Sequence, residues 1–305
     1  MTIVLSLLTQ LLHVALIVAA APTLAGAMDW LDARFASRSG PPVLLPWHDL
    51  LRLYRKTPMP ADNVSPIMRF GPAVALGATL AAAALVPSFT LGMAMSPLAD
   101  VLTVASLLAV ARVAGTLAAL DAGAAKPGLS AQRSSAIAVL AEPALLLSVT
   151  GLALMAGSFN LDLIIVQQRE GILLPATASA LVFTALVALV FADAGARDRT
   201  EDAIYSGTSL AMVRMTGWCR RLVLLNLIGG LFLPIGMATN ESGSSGWAAG
   251  LFAWLCKLVV FGIGLSAIQT LAGRIPGRSL PDLIGVAALL ALLAIVLVLA
   301  SGGMA

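Results

Sequence analysis

Charge is scarce in this sequence. Only 11% of its 305 residues are Asp, Glu, Lys or Arg, against about a quarter in soluble domains. Cysteine is scarcer: Cys219 and Cys256 stand far apart, without a CxxC pair or a His/Cys cluster. That pattern excludes zinc, haem and iron–sulfur ligation by this chain. The two histidines, His13 and His48, are too few for a His-based metal site. His48 adjoins Asp49, but no nucleophile or ligand spacing lies nearby, so it reads as a surface histidine. A Walker motif is also missing. GAAKPGLS at 123–130 lacks the GK[ST] ending, which argues against ATP-driven transport. No GxSxG occurs. The net charge of +3 comes without a basic stripe interleaved with aromatics, so nucleic acid is not the partner.

What fills the chain is apolar. Hydrophobic residues make up 59% and the mean hydropathy is +0.97. Lipid is the solvent this composition demands. In hydrocarbon every backbone N–H and C=O must be paired internally, so only helices or closed barrels can span. The apolar runs are continuous rather than alternating, which selects helices. A span needs roughly 20 apolar residues, and eight segments qualify: 3–27, 70–91, 98–120, 135–157, 173–195, 222–239, 247–272 and 282–302. The expected fold is an all-α polytopic membrane domain occupying 1–305. The first run is too long for a signal-peptide core and nothing basic precedes it, so it reads as a retained span. Pro22, Pro72, Pro87, Pro143, Pro175 and Pro234 fall in or near the spans, where proline is tolerated better than in soluble helices.

The connectors alternate in charge. The first, third, fifth and seventh carry 15 of the 18 Lys and Arg, including Arg214, Arg220 and Arg221 in the fifth. The even connectors carry only Arg169. Arg112 and Lys257 lie inside spans. By the positive-inside rule the odd connectors face the cytoplasm, so both termini are expected on the periplasmic side of a bacterial inner membrane. Within the first connector, 28–69, the run PWHDLLRLYRK sets Leu50, Leu51, Leu53 and Tyr54 against Asp49, Arg52, Arg55 and Lys56. That suits an amphipathic helix at the cytoplasmic surface. Leu161 to Gln168 is apolar but short, and is expected at the opposite interface.

Ionisable residues inside spans are costly and are functional candidates by default. Glu142, Lys257 and Arg112 lead. Asp121 ends the span that holds Arg112, and Asp193 sits near the end of the fifth. A carboxylate and a cation at one depth make either a buried pair or a proton relay. Lys257 is expected to snorkel or to pair with Glu142. Gly40-Pro41-Pro42 cannot continue a helix, so the chain turns there. Arg34, Arg38, Arg52, Arg55 and Lys56 then either anchor the turn to anionic lipid or, with Asp49, form a docking surface for a cytoplasmic partner.

SRSGPPVLLPWHDLLRLYRK at 37–56 resembles the R-x-G-P-x-x-L-Q-P-x-x-D-L-x-K-L-x-[RK]-K signature of a known family. Arg38, Gly40, Pro41, Leu44, Pro46, Asp49, Leu50, Leu53, Arg55 and Lys56 hold matching positions. The family is the membrane subunit of formate hydrogenlyase and group-4 hydrogenases, subunit 4, homologous to subunit 1 of respiratory complex I. A block at 107–149 resembles its A-R-F…L-A-G-L-D-x-G…L-A-E-P-x-L-L-L, with Arg112, Asp121, Gly123, Arg133, Glu142 and Pro143 in register. YSG and FLPIG within 205–236, and Lys257, match further blocks. The resemblance implies eight spans and anchorage of a cytoplasmic redox arm. It also implies part of a quinone cavity and the start of an acidic channel to antiporter-like membrane subunits. Iron–sulfur clusters, and nickel–iron in the hydrogenases, would sit on hydrophilic partner subunits, and this chain would bind no cofactor itself.

The chain departs from the pattern in its acids. The family's acidic E-x-G-x-x-P-x-D stretch after span five is shortened here to FADAGARDRTEDAIYSG, leaving Asp193, Glu201 and Asp202. Ser134 and Gln269 stand where the family has Glu. The departure leaves quinone use and a complete proton channel open. The expected function is the membrane anchor of a hydrogenase- or complex-I-like oxidoreductase, coupled to proton translocation. The alternatives are a scaffold without a relay, or a stand-alone secondary transporter, for which no inverted repeat is seen.

Overall fold

The computed structural model describes residues 2–57, 65–170, 176–196, 201–239, 242–271 and 280–302. Ten α-helices occur among them. Eight are long: α1 (Thr2–Phe35), α3 (Pro66–Leu85), α4 (Val101–Asp121), α5 (Ala125–Ala156), α7 (Ala176–Ala196), α8 (Gly207–Phe232), α9 (Gly243–Leu271) and α10 (Leu280–Gly302). One falls on each span expected from the sequence. Six of them, α1, α3, α4, α5, α9 and α10, are long and apolar enough to cross a membrane. In α7 the described apolar stretch is Thr177–Asp193, and α8 carries Arg214, Arg220 and Arg221. Two short helices, α2 (Leu45–Tyr54) and α6 (Leu161–Arg169), lie in connectors one and four.

Several helices run past the expected bounds: α1 continues to Phe35 and α5 begins at Ala125. The largest difference is in the sixth span, expected at 222–239, where α8 begins at Gly207 and ends at Phe232. Arg214, Arg220 and Arg221, counted as connector residues, are therefore helical, as are Arg34, Arg69, Lys126 and Arg133. Apolarity marks where lipid begins, whereas a helix continues through charges that find partners.

Small residues let the helices approach. A Cβ on Gly71 of α3 would meet Ala118 Cβ of α4 at 2.6 Å and Ala114 O at 3.0 Å. Along α10, Ala287, Ala291 and Ala294 are fully buried on the side packed against α5 and α7. With no hydrophobic drive between helices in lipid, such close packing carries much of the association.

The connectors gather at two ends. β1 (Thr90–Leu91) of connector two pairs in parallel with β2 (Ala238–Thr239) of connector six. Asp100 bridges Asn160, and Asp162 of α6 accepts from Gly92 N at 2.8 Å and Ser96 Oγ at 2.5 Å. Connectors two, four and six thus share one end. At the other, Ser65 donates to Asp121, and Arg214 of α8 reaches Asp49 of α2 at 3.4 Å and Asp202 at 3.6 Å. Among the described residues, connectors one, three and five thus meet at the end opposite connectors two, four and six. Residues 58–64, 197–200 and 272–279, with Arg197, Arg199, Arg274 and Arg278, lie outside the described residues.

α2 is the expected amphipathic helix. Leu50 and Leu53 are buried against α1 and α8, whereas Leu51 and Tyr54 are exposed, as apolar side chains of a helix at a bilayer surface can be. Gly26 permits the fit: a Cβ there would meet Val43 O at 1.9 Å.

Near the even end, two α1 side chains repair a helix terminus. Pro87 follows α3 and has no N–H, so the carbonyl of Ala83 loses its usual i+4 donor. His13 Nε2 supplies one at 3.0 Å, which leaves Nδ1 to accept from Ser88 Oγ at 2.7 Å. Gln10 Nε2 donates to Ala84 O at 2.9 Å, and its Oε1 accepts from Met95 N at 3.3 Å. His13 is fully buried. His13→Leu should destabilise the chain by about 1–3 kcal/mol through the orphaned carbonyl. The penalty should shrink in a Pro87→Ala background, where an amide N–H returns; thermal unfolding in detergent measures both.

Candidate functional site: an intramembrane ring of charge

Four helices each send one ionised side chain to the same point. Arg112 comes from α4, Glu142 from α5, Asp193 from α7 and Arg220 from α8. Arg112 Nη2 donates to Asp193 Oδ1 at 2.8 Å and its Nε lies 3.0 Å from Glu142 Oε1. Arg220 Nε donates to the same Asp193 oxygen at 2.9 Å, and its Nη2 lies 3.5 Å from Glu142 Oε1. Arg220 Nη1 also donates to Leu108 O at 2.8 Å. Each acid touches both arginines and each arginine touches both acids, so the ring is neutral. All four side chains are between 12% and 22% exposed.

The residue types follow from the geometry. A guanidinium presents five donors in a rigid fork, so one arginine can serve two acids and a carbonyl at once; a lysine could not hold those directions. Burying a lone charge is prohibitive, and burying a compensated set is tolerable. Glu142 Oε1 remains a buried acceptor without an aligned N–H, held by charge rather than by a formed hydrogen bond. Beside the ring lies a cavity of about 180 Å³ lined by Arg112, Asp193, Arg220 and Arg221, with Thr116, Ser134, Thr216 and Tyr205. Its walls are more apolar than polar, with Pro72, Ala75, Ala111 and Val213 also lining it, but it is roomy enough for water beside the charged groups.

The sequence candidates divide. Glu142, Arg112 and Asp193 come together. Lys257 does not join them: it lies on α9 beside Gly229 of α8, and the expected Glu142–Lys257 pair is replaced by Arg112 and Arg220. Asp121 is exposed at the end of α4, bonded to Ser65, and takes no part in the intramembrane core. Arg220 was hidden in a connector because the apolar run starts only after it. Its signal would have been helical spacing, with Met212, Thr216, Cys219 and Val223 continuing the run of α8 toward its N-terminus.

At the odd end, Arg38, Arg52, Arg55 and Lys56 are exposed. Arg34 stacks over Trp30 at 5.1 Å, Arg52 pairs with Asp49 at 3.0 Å, and Asp49 also receives Arg214. His48, exposed as expected, contacts Leu44 O at 2.9 Å. Asp49 thus fixes α2 onto α8, while the arginines around it face outward.

Removing one ring member strips compensation from both acids. Arg220→Leu should cost about 3–5 kcal/mol and deplete folded chain from membranes. Arg220→Lys, which restores charge without the fork, should recover only part of it; fluorescence-detected size exclusion reads the folded fraction.

Comparison with known proteins bears on what such a site belongs to. The NADH dehydrogenase family matches residues 7–197. Formate hydrogenlyase subunit 4 of Escherichia coli K12 is 30% identical over 267 residues, covering 84% of this chain and 86% of that protein. Hydrogenase-4 component C of the same organism is 29% identical, covering 82% and 83%. Among solved structures, the fold is shared by a chain of the membrane-bound sulfane sulfur reductase, an archaeal respiratory membrane complex. The TM-score is 0.73 at 18% identity, over 94% of this chain and 98% of that one. The stretch carrying Arg112, Glu142 and Asp193 lies within the matched span, and the chain belongs to the NADH dehydrogenase family, as a relative of complex I subunit 1 and formate hydrogenlyase subunit 4.

Proposed function

We propose that this chain is the membrane anchor of a hydrogenase- or complex-I-like oxidoreductase, and that its α1–α2 end docks the cytoplasmic electron-transfer arm. The observation that carries this reading is the exposed basic group Arg38, Arg52, Arg55 and Lys56, on α2 and the chain flanking it, with α2 tied to the membrane body by Asp49 and Leu50. A rigidly mounted cluster of one sign steers and orients an acidic partner. Hydrophilic hydrogenase-like or complex-I-like subunits would supply that partner and carry the iron–sulfur clusters and any nickel–iron. The odd end then faces the cytoplasm of a bacterial inner membrane, with α7 and α8 crossing it and both termini periplasmic, and antiporter-like subunits lie alongside.

Charge reversal tests the docking. Arg52→Glu with Arg55→Glu should leave the chain in the membrane and lower co-purification of the hydrophilic arm by tenfold or more, an effect on the order of 1.4 kcal/mol. Undiminished co-purification in pull-downs at physiological salt would count against it.

Proton coupling through the ring is a second part of the proposal, favoured by the cavity against Asp193. A carboxylate that reaches water can exchange a proton; one held only between two arginines is a strut. Glu142→Gln keeps the shape and removes the charge. A relay predicts an assembled complex with reduced proton transfer in vesicles; intact transfer in such a complex leaves the scaffold reading.

A further inference from the structure

Four charges alternate in sign from the basic surface of α2 inward: Arg52, Asp49, Arg214 and Asp202. Arg52 Nη2 lies 3.0 Å from Asp49 Oδ1, Arg214 Nη1 lies 3.4 Å from Asp49 Oδ2, and Arg214 Nε lies 3.6 Å from Asp202 Oδ2. Arg52 is open to solvent, with 65% of its side chain exposed, whereas the other three are between 20% and 30% exposed.

The two links of Arg214 are the weak ones. Formed charge-assisted hydrogen bonds measure about 2.7–2.9 Å, so one guanidinium is stretched between two acids and fully engages neither. Ion pairs that water still reaches contribute little to stability, and trading one for the other costs little. Leu50 and Leu53 hold α2 against α1 and α8 by apolar contact, so Arg214 can change partner without the helix coming away.

The inner end of the chain of charges meets the cavity wall. Asp202 belongs to the short 3₁₀ helix Glu201–Ile204 between α7 and α8. Its carbonyl accepts from Tyr205 N at 3.2 Å, and the buried Tyr205 lines the cavity together with Asp193 and Arg220. Val213, next to Arg214 on α8, and Thr216 line it as well.

We propose that Arg214 is a positioning residue through which a partner bound at α2 acts on the cavity beside the ring. An acidic group that takes Arg52 leaves Asp49 to Arg214 alone. Arg214 then moves onto Asp49 and lets go of Asp202, and the 3₁₀ helix with Tyr205 loses its tie to α8. The two arrangements differ in which acid Arg214 serves, and the partner shifts the balance because it competes with Asp49 for Arg52. The inference rests on the docking reading for the identity of the partner, but not for the switch itself, which the loss of Arg52 alone can trip.

The experiment reads the rate at which a small water-soluble methanethiosulfonate labels Thr216→Cys in the full chain carrying Cys219→Ala and Cys256→Ser. Membranes are compared with the hydrophilic arm bound and after it has been stripped. Arm binding should raise the rate threefold or more. Without the arm, Arg52→Gln should raise it as much, since Asp49 loses the same cation. Asp202→Asn should give the raised rate in both states, with no further rise from the arm or from Arg52→Gln. Arg214→Met severs the same link from the other side and should do likewise, so a folding defect in one variant does not blunt the test. A rate in the stripped chain that Arg52→Gln leaves unchanged would overturn the proposal. So would any arm effect that persists in Asp202→Asn, including the fall in rate that simple occlusion by the arm would produce. An arm that never binds the wild-type chain would instead defeat the docking reading, and Arg52→Gln would still decide the switch.

Discussion

Two arginines and two carboxylates closed into a ring set the terms for this fold. In lipid no charge can be left to solvent, so each ring member fixes where its helix may sit. Arg112, Glu142, Asp193 and Arg220 come from α4, α5, α7 and α8, and the contacts of 2.8 to 3.5 Å hold only at one depth and one rotation of each. Small apolar side chains slide past one another at little cost. A four-way ion set does not. Alanine-rich surfaces such as α3 on α4 supply contact, and the ring supplies register.

The same rule acts on neutral groups. Proline in a membrane helix is tolerable only if another element serves the carbonyl it abandons. At the end of α3, just before Pro87, His13 of α1 serves the Ala83 carbonyl that Pro87 leaves without a donor, and Gln10 serves the next carbonyl, Ala84, freed where the helix stops. Asn160 caps α6 by accepting from Asp162 N and Leu163 N, and Asp162 in turn holds connector two. These side chains, not the connectors' own backbone, knit connectors two, four and six into one end of the molecule. A buried histidine with both nitrogens engaged is structural here, although from sequence it was only one of two histidines too few for a metal site.

What sequence could show was set by which physics writes itself locally. Eight apolar runs are a local signal, and each lies on a long helix. The amphipathic α2 was legible for the same reason, and the alternation of cations matched the two ends at which the connectors meet. Partnership is not local. Glu142 was visible as an oddity in LAEPALLL, but nothing in its neighbourhood names Arg112 or Arg220. Of the two options for Lys257, pairing with Glu142 is not found, because similar depth in sequence terms says nothing about which helices adjoin. Arg220 was misplaced because hydropathy treats a charge as the edge of the membrane. A charge that finds two acids and a carbonyl belongs inside.

The departure from the family's acidic pattern gains meaning beside this ring. Ser134 lines the cavity next to Arg112 and Asp193, at a position where the resembling family has Glu. A third acid there would leave the ring with a net negative charge, and one of the three would be driven to hold a proton. With serine, two arginines face two acids and the charges of the ring match in number. Gln269, where the resembling family has Glu, lies twelve residues along α9 from Lys257, about 18 Å of helix, so it bears on neither that lysine nor the ring. What fixes α4, α5, α7 and α8 is therefore a set of charges that balances within itself: each arginine answers two acids, and each acid two arginines, whatever acids stand elsewhere in the chain.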